Sequence, residues 1–217
     1  MRPYDIVLWD LDGTIMDSAE GIFLSFEHAF EEMGRVTPDR AELQRYLGPP
    51  LLVTFGEHLG FSPEDTTRAI EKYREHYHAI GAFAAQPFAG VIDLINDVRA
   101  SGMTTALATS KAFTAAKLVT EHFQLDGLFD IYGTATDDDV RKTKADVLGA
   151  IVDELGELGA RRDRIVLIGD RIHDVEGAEE FDIDCVLVEW GYGTPGEFAA
   201  ATASVATVAD LRGFLGL

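Results

Sequence analysis

One cysteine, Cys185, in a chain of 217 residues has no partner for an internal disulfide, so a reducing compartment is the expected setting. Cations are scarce too. Lys and Arg number 18 against 38 Asp and Glu, a formal net charge of −20. That balance argues against nucleic acid and anionic membrane surfaces as partners, since both call for clustered positive charge. No stretch approaches the ~20 successive apolar residues that cross a bilayer. The first apolar run breaks at Asp10, far short of the basic start and apolar core of a signal peptide. The six histidines show no zinc-ligand spacing. The expectation is a cytoplasmic protein, monomeric or homodimeric, whose partners include neither membrane nor nucleic acid.

What is present is an ordinary globular composition, 47% hydrophobic, and a change of pattern along the chain. The segment "YDIVLWD" reads as a buried strand. A helix follows with Ile22, Phe23, Phe26, Ala29, Phe30 and Met33 on one face and Gly34 at its end. Thr37-Pro38 marks the next helix start, "PPLLVTFGEHLG" a short third helix, and Ser62-Pro63 a fourth that ends by Gly81. Beyond Pro87, amphipathic helices alternate with the strands "MTTALATS", "LFDIYGT", "RIVLIGD" and "IDCVLVEW". Alternation of that kind implies right-handed crossovers and a parallel sheet covered on both faces. The predicted fold is α/β: a doubly wound, Rossmann-like core of residues 1–16 and 85–217, with an all-helical insert at 17–84.

In such a sheet ligands bind at the carboxyl ends of the strands. Those ends carry Asp10 and Asp12, Thr109-Ser110-Lys111, Asp170 and Asp174, and Lys144 opens a helix after another strand. Several carboxylates at one rim repel each other unless a cation joins them, and hard oxygen donors without His or Cys favour Mg²⁺. A Mg²⁺ and an ammonium together make a receptor for a phosphoryl group. Asp10 would attack phosphorus. Asp12, two residues on and on the same side of the strand, would move protons to and from oxygen. Gly13 lets the chain turn sharply with its backbone near the ligand.

The segments "DLDGT", "ALATS", "RKTK" and "IGDRIHD" resemble, in order and spacing, the four motifs of the haloacid dehalogenase superfamily of phosphohydrolases. The resemblance spans nearly the whole chain, and the helical insert looks like that superfamily's small cap of the first type. "YLGPPL" and "GDRIHDVEGA…WGYG" look most like the phosphoglycolate phosphatase and 5′-nucleotidase branch. The resemblance implies Asp10 as nucleophile and metal ligand, Asp12 as general acid/base giving its backbone carbonyl to the metal, and Thr109 on a phosphoryl oxygen. It implies Lys144 as the charge-stabilising ammonium and Asp170 and Asp174 as Mg²⁺ ligands. "RKTK" offers Lys142 as well, but Lys144 sits directly at the helix start. Gly13, Ser110, Lys111, Arg45 and the Gly48-Pro49 turn are the expected substrate contacts, with Arg45 and Lys111 the cations for a second anionic group.

The implied activity is Mg²⁺-dependent hydrolysis of a small phosphate monoester through an aspartyl-phosphate. Phosphoglycolate and nucleoside monophosphates are plausible substrates. A phosphosugar mutase would share every core residue. A dehalogenase needs no Mg²⁺ site and usually lacks an acid at the position of Asp12. A phospho-accepting receiver module is shorter and has no helical insert.

Overall fold

The computed structural model describes residues 3–217. It divides into two compact units, one formed by the chain up to Asp17 together with Pro87–Leu217, the other by Ser18–Gln86. The first unit is built on six parallel strands: β1 Ile6–Trp9, β2 Thr104–Ala112, β3 Ile131–Ala135, β4 Ile165–Gly169, β5 Asp184–Val188 and β6 Ala203–Val205. Their order across the sheet is β3-β2-β1-β4-β5-β6. β1 is central, with Trp9 in register with Leu107 of β2 on one side and Ile168 of β4 on the other.

The strands are unbroken apolar runs because both faces of the sheet are covered. On one face Ile6, Leu8, Leu167, Cys185 and Leu187 pack with Val147, Leu148 and Ile151 of the helix Lys144–Glu157. Val7 and Trp9, which alternate to the opposite face, are completely buried as well. Burial pushes the Cys185 thiol up from its usual range, so this cysteine is a small core hydrophobe.

Three local features add to or depart from the sequence reading. β2 continues to Ala112, where a helix was expected to start near Lys111, because the pairing with β3 shifts register between Thr109 and Ala112. The helix after β4 starts at Ile172, inside the segment "IGDRIHD", so Asp174 lies in its first turn. In the Ala-rich tail, β6 and the helix Val208–Leu215 form where no element was predicted. The signal there was Thr207 with Asp210. The hydroxyl of Thr207 accepts from the Asp210 amide at 3.1 Å and the Asp210 carboxylate accepts from the Thr207 amide at 3.1 Å.

In the second unit the helices Ala19–Glu32 and Pro63–Ala79 pack together. Ser62 caps the latter by accepting from the Asp65 amide at 3.1 Å. Aromatic rings fill the interior: Phe26 lies 5.0 Å from Tyr73 and 5.4 Å from Phe55, and Phe30 lies 5.9 Å from Phe61. The helix expected after Thr37 is shorter, Arg40–Leu43 with a 3₁₀ turn at Gln44–Tyr46, and its cap is Asp39. The third helix, Leu51–Val53, widens into a π turn at Thr54–His58.

Candidate active site

β1 and β4 are neighbours in the sheet although they are far apart in sequence, and this pair is where the strand order reverses. The residue after each strand is an aspartate. The Asp10 amide donates to the Ile168 carbonyl at 2.9 Å, so Asp10 emerges beside the strand that ends in Asp170. Asp174, a turn further along the helix Ile172–Glu179, accepts on Oδ2 from the amides of Asp170 and Arg171, each at 3.1 Å. Each of Asp10, Asp170 and Asp174 offers a carboxylate oxygen, and these oxygens lie within 4.8 Å of one another.

Lys144 lies among them, 5% exposed. Thr143 and Asp146 form a capping box that fixes the first turn of its helix, so the side chain leaves the helix start. Its Nζ lies 2.8 Å from Asp10 Oδ1 and 2.8 Å from Asp174 Oδ1, and donates to the Ala108 carbonyl at 2.6 Å.

Beyond Asp10 the chain folds back in a tight turn, with the Gly13 amide donating to the Met16 carbonyl at 2.8 Å and the Met16 amide to the Leu11 carbonyl at 2.8 Å. Gly13 has φ +81°, and a Cβ on it would overlap the Asp170 carboxylate. Asp12, on this turn, pairs through Oδ2 with Lys111 Nζ at 2.8 Å, while its Oδ1 is buried with no hydrogen-bond partner among the described residues. The register shift in β2 re-aims Lys111 toward that acid. Thr109 is buried in the last paired positions of β2, and its hydroxyl accepts from the Lys111 amide at 3.2 Å; Ser110 beside it is half-buried.

Charge is crowded here. Burial raises Asp10 to about 6, with the Asp174 and Asp12 carboxylates adding to the shift and Lys144 opposing it. Burial, then Asp174 and Asp10, raise Asp170 well above the usual carboxylate range. Burial works against the charged form of Lys144, but the carboxylates of Asp10 and Asp174 outweigh it and raise its pKa. Asp170 is 1% exposed. Its Oδ2 accepts from the Tyr192 amide at 2.7 Å, and its Oδ1 has no hydrogen-bond partner among the described residues. A buried carboxylate oxygen without a donor, facing two further acids and only one ammonium, is what a hard divalent cation fits.

Lys142 is exposed. Asp137 accepts from the amide and hydroxyl of Thr114 at the start of the helix Phe113–His122, and Asp138 from the Thr136 hydroxyl and the Val140 amide in its own turn. Arg45, Gly48 and Pro49 belong to the helical unit, the first two exposed and Pro49 half-buried. The loop after β5 carries the "WGYG" of the family resemblance, to which the sequence alone assigned no role. There the Trp190 indole donates to the Thr14 carbonyl at 3.2 Å and the Tyr192 amide reaches Asp170. A Cβ on Gly191 would meet the Asp170 side chain, which explains the small residue in "WGYG". No helix among the described residues is long and apolar enough to cross a membrane.

The family model described as haloacid dehalogenase-like hydrolase matches residues 7–188. The tyrosine-protein kinase PtkA of Mycobacterium tuberculosis is 38% identical over 217 residues, covering 98% of this chain and 72% of that protein. A 5′-nucleotidase of Pseudomonas aeruginosa is 35% identical over 212 residues, covering 96% and 94% of the two chains. Among solved structures, a predicted phosphatase from Clostridium acetobutylicum superposes with a TM-score of 0.90 at 34% identity, covering 99% of each chain.

Proposed function

Because the chain belongs to the haloacid dehalogenase-like hydrolase family, we propose that it is a phosphatase that hydrolyses a small phosphate monoester through a phosphorylated Asp10. The observation that carries this reading is the convergence of Asp10, Asp170 and Asp174 on one another, two of them paired with Lys144 and one Asp170 oxygen left without a donor among the described residues.

The proposed roles follow from the contacts. An Asp10 carboxylate oxygen attacks phosphorus and the ester P–O bond breaks. Asp12 gives its proton to the departing alkoxide, then takes one from the water that attacks the aspartyl-phosphate, releasing phosphate and restoring Asp10. Lys144, already paired with Asp10, offsets the negative charge of nucleophile and phosphoryl group. Thr109 and the Gly13 turn offer hydroxyl and amide donors to phosphoryl oxygens. Lys111, now on Asp12, holds that acid in place and is the cation nearest the leaving side. Asp10, Asp170 and Asp174 would hold Mg²⁺, with the Asp12 carbonyl as a further donor, and the ion would supply positive charge against the phosphoryl oxygens. Choice among esters, phosphoglycolate or a nucleoside monophosphate, is assigned within this unit to Ser110 and Lys111. The buried thiol of Cys185 fits a cytoplasmic setting.

The test is phosphate release from a panel of phosphorylated metabolites, in Mg²⁺ and in EDTA, with Asp10→Asn alongside. Release that needs Mg²⁺ and falls by several orders of magnitude in Asp10→Asn is the expected result. Conversion of a hexose 1-phosphate to its 6-phosphate would favour a mutase. Loss of ATP phosphate to tyrosine, with no ester hydrolysed, would place the chain with the kinase-named relative instead.

A further inference from the structure

Glu197 lies in the short helix Pro195–Phe198, where an acid three residues after Thr194 would ordinarily serve only its own helix cap. Its contacts extend further. Oε2 accepts from the Thr194 amide at 2.7 Å, while Oε1 accepts from the Arg171 Nε at 2.9 Å and from the Ile172 amide at 3.1 Å. The carboxylate is 13% exposed and its Arg171 partner 14%. Burial works to raise this carboxyl, yet the Arg171 guanidinium and the amide donors hold it down to about 2.

Those donors flank the acids of the site. Arg171 and Ile172 follow Asp170 directly, and the Arg171 amide also donates to Asp174. Thr194 closes the loop whose Tyr192 amide donates to Asp170. One carboxylate therefore joins the turn that carries Asp170 and Asp174 to the loop that holds Asp170 from the other side.

We propose that Glu197 is a positioning residue for cation binding: its bridge between Arg171, Ile172 and Thr194 sets the spacing of Asp170 and Asp174 relative to Asp10. This rests on the phosphatase reading only in taking Mg²⁺ as the ion. A supporting residue behind a metal ligand typically changes affinity roughly 10- to 100-fold.

The experiment is a Mg²⁺ titration by calorimetry, with no substrate present, on wild type, Glu197→Ala, Glu197→Gln and Asp210→Asn. The last removes a capping acid at the remote C-terminal helix and serves as the control for stability loss. Glu197→Ala is expected to weaken Mg²⁺ binding by roughly tenfold. In Glu197→Gln an amide NH₂ faces donors, so the loss should be smaller but more than about twofold. Asp210→Asn should bind as wild type does while melting at a lower temperature. Turnover of Glu197→Ala should return as Mg²⁺ is raised, which a merely structural defect would not allow. Binding by Glu197→Gln within about twofold of wild type overturns the inference, and that variant decides if Glu197→Ala does not fold. Equal affinity in variant and wild type removes this inference alone. A wild type that takes up no Mg²⁺ removes the cation from the phosphatase reading and this inference with it.

Discussion

Replacing Asp10 by asparagine should shift the stability of the metal-free protein, relative to wild type, in the variant's favour as pH rises. Three clustered acids, two of them paired with the one buried ammonium of Lys144, surround the site, and burial and charge push the Asp10 carboxyl from 3.8 to about 6. A carboxyl harder to ionise in the folded than in the unfolded chain gives stability that is complete below about pH 4 and lost as pH rises through about 6. Fully developed, a rise of that size amounts to ~3 kcal/mol. Between pH 5.0 and 7.5, which stay above the isoelectric point of about 4.5, roughly half of it should be lost from wild type. Asparagine cannot titrate and escapes this loss, although it forgoes the Lys144 ion pair at every pH. The measurement is thermal unfolding of both proteins in EDTA at the two pH values. The gap between them should move in the variant's favour by about 3–6 °C on going to pH 7.5. Saturating Mg²⁺ should reverse the trend, because the ion stabilises the form that binds it better. A gap that stays constant with pH, or one that Mg²⁺ leaves untouched, refutes the account of Asp10 as a strained member of a cation site.

Lys144→Met keeps the volume but strips the cluster of its only internal cation, and should destabilise the protein by about 3–5 kcal/mol at pH 7.5 in denaturant titrations. A change below about 1 kcal/mol would mean that the ammonium is not needed to hold these acids. Gly13→Ala puts a methyl group where the Asp170 carboxylate lies, on a backbone with φ +81°, and should cost about 2–4 kcal/mol while abolishing Mg²⁺ uptake by calorimetry. Normal Mg²⁺ binding by that variant would show that the turn can yield without disturbing the acids.

Much of this architecture was legible because two periodicities and a few strand ends carry it. The runs Ile6–Trp9 and Ile165–Gly169 are apolar throughout and each is followed at once by an aspartate, so the rim could be read from neighbouring letters. The sequence puts Lys144 directly at a helix start, and the helix does begin there. What could not be read is what depends on distant pieces meeting. Tyr192 serves Asp170 through its amide, a group every residue but proline possesses, so its side chain carries no signal. Glu197 looks like a routine capping acid until Arg171 is beside it. The tail strand Ala203–Val205 is three residues long and Ala-rich, too short for periodicity to mark, and it forms because β5 offers it an edge.

The central place of β1 also bears on how this protein comes to be folded. Its two neighbours are supplied by residues 104–112 and 165–169, so β1 is not flanked on both sides until Gly169 has been made. A ribosome adding roughly 5–20 residues per second leaves that apolar edge unpaired for much of synthesis, and domain-scale burial must wait for Gly169 to emerge. Nascent chains halted before that point carry an open template for pairing with other chains, so premature termination there should yield aggregates and no partial enzyme.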